Sequence, residues 1–103
     1  MYIYEVSNLD CKKKTNKKKL VKMFREELKI EGKLDAERVG RICKKVEDKY
    51  EIPMRIHSTK EGKLQVSLEI KQGAFHVFVV NSVLEAYMKY CLFVKIFIKR
   101  KLI

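Results

Sequence analysis

The sequence predicts one α+β domain: two or three helices, an antiparallel hairpin, a further strand and a C-terminal helix. Three observations carry this. Two stretches before residue 50 repeat apolar residues at helical spacing, and a later stretch alternates apolar and polar residues strictly. The third is size, since 103 residues of which 47% are hydrophobic suffice for one ordinary core and not for two. The chain 1–103 is therefore read as a single basic domain. Residues 11–50 form its helical part, 54–80 the hairpin and third strand, and 81–103 a C-terminal helix or strand that offers a dimer element.

Met1 to Val6 is aromatic and β-branched, and is expected to be a short strand. A polar, Lys-rich connector follows to Asn16. From about Lys17 to Ile30, Leu20, Val21, Phe24 and Leu28 recur at helical spacing, while Lys18, Lys22, Arg25 and Lys29 fall together on the opposite side. Gly32 suits the left-handed position that ends such a helix. Asp35 is placed to cap a second helix reaching about Tyr50, because its carboxylate can accept from first-turn amides. Val39, Ile42, Cys43, Val46 and Tyr50 form the apolar stripe of that helix. Gly40 interrupts it and marks either a break or a close packing contact.

Pro53 closes the helical region, since the residue before a proline is driven towards extended backbone. Met54 to Thr59 and Leu64 to Ile70 then alternate around the turn Lys60-Glu61-Gly62, the pattern of a half-buried hairpin. Ala74 to Val80 is apolar at nearly every position and is expected to be covered on both faces. Asn81 and Ser82 offer a cap for a helix from about Val83 to Cys91. Leu92 to Ile103 fits either a continuing helix or a last strand.

The charge is unevenly placed. Lys and Arg number 24 against 13 Asp and Glu, a formal net charge of +11. Residues 11–25 contribute +8 with no acid, residues 89–103 contribute +5, and residues 26–88 balance to zero. A codon preference for Lys would spread evenly, so two basic blocks around a neutral middle point to a surface for an anionic partner. Within that middle, Arg38, Arg41, Lys45 and Lys49 still fall within roughly 80° of each other on the second helix.

Catalytic chemistry has little to work with. His57 and His76 are the only histidines, and neither stands at a catalytic or metal-binding spacing from Cys, Asp or Glu. His76, between Phe75 and Val77, reads as a core or interface residue. Cys11, Cys43 and Cys91 are too dispersed for a zinc site and odd in number, which points to small buried residues in a reducing cytoplasm. No phosphate-binding glycine loop or nucleophile elbow occurs, so no enzyme and no cofactor are expected. The longest uncharged stretch, Gln72 to Leu84, is 13 residues and predicts no membrane span.

Duplex DNA is the partner these features favour. Lys12, Lys13, Lys14, Lys17 and Lys18 are expected to contact phosphates, releasing condensed counterions. Arg38, Arg41, Lys45 and Lys49 are expected to face the duplex, and Arg55, His57, Lys60 and Lys63 to extend the contact from the hairpin. RNA is less favoured, because Lys63, Gln65, Ser67 and Glu69 give the hairpin no aromatic platform. The final block could instead lie on an anionic membrane, with Phe93, Ile96 and Phe97 interleaved with Lys95, Lys99, Arg100 and Lys101; a dimer element is preferred there. A homodimer covering the apolar face from Ala74 onward would double the basic surface and predict two half-sites.

The order helix, helix, hairpin with a basic tip, over Lys17 to Ile30, Asp35 to Tyr50 and Met54 to Ile70, resembles a winged helix-turn-helix domain. The resemblance implies that the second helix enters the major groove through Arg38, Arg41, Lys45 and Lys49, and that Arg55, Lys60 and Lys63 act as the wing. The family has three helices before its wing, whereas two are read here unless Gly40 divides the second. Size and Lys content also resemble small accessory DNA-binding proteins of low-GC plasmids and phages, including relaxosome accessory proteins. That likeness implies a sequence-specific accessory factor or regulator working with other proteins of a plasmid-transfer or regulatory complex. The alternative is a phage or plasmid protein that binds and inhibits a host protein.

Overall fold

The computed structural model describes residues 2–3 and 17–98. Its elements are β1 (Tyr2–Ile3), α1 (Lys17–Leu28), α2 (Ala36–Tyr50), β2 (Met54–Ser58), β3 (Leu64–Lys71), β4 (Ala74–Val80) and α3 (Val83–Leu92). A π-helical segment, Phe93–Ile98, follows α3. The fold is α+β, and its helices, antiparallel hairpin, further strand and C-terminal helix are compatible with a winged-helix-like arrangement. Gly40 does not divide α2, so the third helix comes after the sheet rather than before it.

The sheet has the order β1-β4-β3-β2, with β2, β3 and β4 antiparallel and β1 parallel to β4. Of the expected first strand, Tyr2–Ile3 is formed; the rest of that expectation lies outside the described residues. Register puts Met54, Leu68 and His76 in one row and Ile56, Val66 and Phe78 in the next, all on one face. That face is packed by α3, whose other sides meet α1 and α2. Ala86, Met88, Tyr90, Cys91 and Leu92 are all buried. A helix apolar on nearly every side is stable only where protein surrounds it, and α3 occupies the centre for that reason. Leu20 and Phe24 of α1 and Val39, Cys43 and Val46 of α2 close the core over it.

The helix ends are made by local chemistry. Asp35 caps α2 by accepting from the Arg38 amide at 2.7 Å. Ser82 caps α3 by accepting from the Glu85 amide at 3.1 Å, while Glu85 accepts from the Asn81 amide at 3.1 Å. α1 ends earlier than expected. Lys29, at φ 52°, takes the left-handed position assigned to Gly32, and the Ile30 amide donates back to the Arg25 carbonyl at 3.2 Å. Gly32 serves the loop instead: its φ is 88°, and a Cβ there would stand 2.7 Å from Arg38 Nη1. Gly40 marks close packing, since a Cβ would meet the Tyr87 ring at 3.1 Å.

The end of the chain resolves as helix as far as Ile98. Phe93, Val94, Ile96 and Ile98 of the π segment are all buried, so this stretch, like α3, is enclosed by protein over more than one side. Lys89, counted above with the basic C-terminal block, is 3% exposed. Its ammonium sits 3.5 Å from Glu85 and 6.0 Å from the centre of the Phe78 ring. Burial beside a carboxylate removes it from any surface that meets a partner.

Candidate nucleic-acid interface

The packed seam of α2 fixes its basic flank. Val39, Cys43 and Val46 are buried against α3, which holds Arg41, Lys45 and Lys49 out in solvent. Arg41 donates to Glu37 at 2.9 Å one turn away, and both side chains are largely exposed. Lys49 lies 5.4 Å from the centre of the neighbouring Tyr50 ring. Among the described residues Lys45 and Lys49 have no carboxylate partner, whereas Lys44 pairs with Asp48 at 3.5 Å.

Arg38 is a different case. It is half-buried, and Nη1 donates to the Lys33 carbonyl at 3.1 Å. Arg25 donates to the Ile30 and Gly32 carbonyls at 3.3 and 2.8 Å. Two guanidinium groups therefore satisfy loop carbonyls between α1 and α2 that the helices leave unpaired. Arg25 and Arg38 build the joint as well as adding charge.

Lys17 and Lys18 are exposed on the first turn of α1, in the same helical layer as α2. Lys12, Lys13 and Lys14 lie outside the described residues, as do Lys99, Arg100 and Lys101. In the hairpin, Thr59 organises the turn, its amide donating to the Lys63 carbonyl at 2.8 Å and its hydroxyl accepting from the Lys63 amide at 3.1 Å. Lys60 and Lys63 flank that turn in solvent.

Arg55 and His57 are exposed on the other side of the sheet. They alternate with Met54 and Ile56, which face α3, and so project away from the helical layer. The expected contact set is thus divided. Arg38, Arg41, Lys45 and Lys49 share α2, Lys60 and Lys63 share the turn, and Arg55 and His57 stand on the sheet face turned away from α2.

Within one chain that face is only partly covered at β4, the strand expected to be covered on both sides, with a second copy as the cover of its outer face. Ala74, His76, Phe78 and Val80 are buried on the inner side, but outside Phe75 and Val77 are only half-buried and Val79 is 37% exposed. His76 stacks on Phe93 with ring centres 3.8 Å apart, in keeping with a core role. Cys43 and Cys91 are both buried; Cys11 lies outside the described residues. The hydrogen bond with Cys91, then burial, then the charges of Cys91 and Glu47 push the Cys43 thiol well above its ordinary range, making it a poor nucleophile. Tyr90 donates its hydroxyl to the Ile52 carbonyl, and burial, followed by the Glu47 charge, raises its pKa above the ordinary range.

Comparison with family models, curated proteins and solved structures finds no match for this chain. No described helix is long and apolar enough to cross a membrane.

Proposed function

We propose that this chain is a non-enzymatic, sequence-specific duplex-DNA-binding protein of the cytoplasm, serving as an accessory factor or regulator on plasmid or phage DNA. The observation that carries the reading is the flank of α2. Arg41, Lys45 and Lys49 follow one another at i, i+4 along an exposed helix side, anchored by a buried seam. Such a row neutralises successive phosphates, or lies in a major groove where Arg and Lys reach guanine edges. Lys17 and Lys18 add phosphate contacts from α1, and Lys60 and Lys63 from the hairpin turn. Arg55 and His57 take no part in the α2 contact.

A salt titration against duplex DNA tests the reading. Log affinity is expected to fall steeply with log salt, with preference for a selected site over random sequence persisting at higher salt. Failure to bind any duplex at low salt overturns it. A second reading, inhibition of a host protein, draws on the open face of β4, where Phe75, Val77 and Val79 reach the surface. Salt-insensitive capture of a protein partner together with absent duplex binding would favour that reading.

A further inference from the structure

The open face of the sheet is ordered by strand register. Arg55, Ser67 and Val77 form one row, and His57, Gln65 and Val79 another. Glu69 stands beside Phe75 in the third. The face is polar on β2 and apolar on β4. At the Phe75 end is a depression of about 200 Å³ lined by Pro53, Arg55, Ser67, Glu69 and Phe75. At the other end Val79 protrudes, 37% exposed.

We propose that this face is the interface of a homodimer in which two copies pack sheet against sheet. Charge is the first argument. The chain carries +11, yet the three rows named above hold one arginine and one glutamate. Two copies therefore meet here with less repulsion than contact through the basic helical layer would bring. Self-complementarity is the second. A two-fold axis across the strands at the level of Val77 sets Val77 on the partner's Val77 and Val79 over the partner's Phe75. The protruding valine enters the partner's depression, and Gln65 meets the partner's Glu69, to which its amide donates. The two Arg55 side chains approach each other across the axis on β2, the edge strand, where solvent screens them. An axis along the strands is disfavoured, because it sets Val77 against the partner's Arg55 and places its like-charge contact, Glu69 on the partner's Glu69, on the interior strand β3 rather than at the sheet edge.

The patch is three strands wide and five residues long, roughly 14 by 17 Å at ordinary sheet spacings. It is smaller than a standard interface, which buries about 800 Å² per partner. The dimer is accordingly weak, forming between micromolar and millimolar concentration. Resting on the DNA reading above, one consequence follows. Sheet-to-sheet packing turns the two α2 flanks outward in opposite directions, so the dimer bridges two duplex segments and does not read adjacent half-sites of one.

Sedimentation velocity of the full chain is expected to pass from monomer to dimer across that concentration range. Val79→Glu abolishes the shift, and Glu69→Arg weakens association at least about tenfold by losing the pair to Gln65 and adding a cation to the face. In a Cys11→Ser background, Val77→Cys is joined into dimers by a short bismaleimide, and Lys45→Cys on α2 is not. A chain that stays monomeric throughout, a Val79→Glu variant that still dimerises, or equal cross-linking at both cysteines overturns the proposal. So does a monomer whose binding of single-stranded oligonucleotide is lost with Phe75→Ala, which would make the face a nucleic-acid platform. The DNA reading is judged separately. Val79→Glu is expected to keep duplex binding while losing the ability to hold labelled duplex on duplex-coated beads. Absence of duplex binding in both proteins defeats the DNA reading and leaves the sedimentation result to decide the dimer.

Discussion

Replacing Arg41, Lys45 and Lys49 together by alanine removes the basic flank of α2 without touching its seam, since all three side chains are in solvent. Arg38 is left in place, because its guanidinium holds the Lys33 carbonyl and its loss would loosen the loop as well as remove a charge. If each of the three neutralises one phosphate, the slope of log affinity against log salt becomes shallower by about 2.7. Over a fourfold rise in salt the wild type then loses roughly 40-fold more affinity than the variant. Arg41 must leave Glu37 to reach a phosphate, and an exposed pair of that kind holds it by only about 0.2–1 kcal/mol. Glu37→Gln is therefore expected to tighten binding, by no more than about fivefold. Fluorescence anisotropy with a labelled duplex at several salt concentrations measures both effects. The comparison protein is Lys33→Ala, Lys71→Ala, Lys95→Ala, which loses the same charge from exposed positions elsewhere. Equal slopes for the two triple variants would refute the assignment to α2 and leave only diffuse charge attraction.

Further predictions concern the core. Tyr90→Phe leaves the Ile52 carbonyl without the hydroxyl that satisfies it and is expected to cost about 1–3 kcal/mol in urea unfolding. An unchanged midpoint would show the bond to be dispensable. Cys43 and Tyr90 have folded pKa values raised above the ordinary 9.0 and 10.0, so the unfolded chain loses those protons first. Stability is thus full below about pH 9 and falls as pH rises further, less steeply in Cys43→Ala with Tyr90→Phe; a parallel fall in both proteins contradicts the reasoning. Lys89→Ala strands Glu85 beside the core and should lose about 2 kcal/mol or more, whereas Lys89→Met with Glu85→Gln is expected to match the wild type within about 1 kcal/mol. Neither change should alter duplex affinity.

Local periodicity and capping chemistry made much of the fold legible. Asp35 and Ser82 cap the helices expected of them, and Leu64 to Ile70 alternates as a half-buried strand should. What was hidden depended on distant neighbours. The parallel pairing of β1 with β4 joins residues about seventy positions apart and leaves no local signature. Lys89 looked like surface charge until Phe78 and Glu85 were brought round it by the packing of α3 on β4. Alternation also shows which residues share a face without saying where the helices lie. Arg55 and His57 were readable as partners of each other, but their separation from the α2 flank follows from all three helices stacking on the opposite side of the sheet. The apolar run Ala74 to Val80 looked doubly covered, since a buried strand and a strand with one apolar outer stripe share the same composition.

The +11 charge takes on a different meaning once it is assigned to faces. A uniformly basic small protein would repel its own copies from every direction, and a polyanion would bind it in any orientation. In this chain the helical layer presents Lys17, Lys18, Arg41, Lys45 and Lys49, while the outer strand face holds one arginine against one glutamate beside an apolar strip. On the two proposals, a polyanion and a second copy would use different surfaces and need not compete. Bound DNA would even help the dimer, because phosphates neutralise the lysines whose mutual repulsion opposes association. The coupling has a defined sign: duplex DNA should lower the concentration at which the chain dimerises, and raising the salt should shrink that effect.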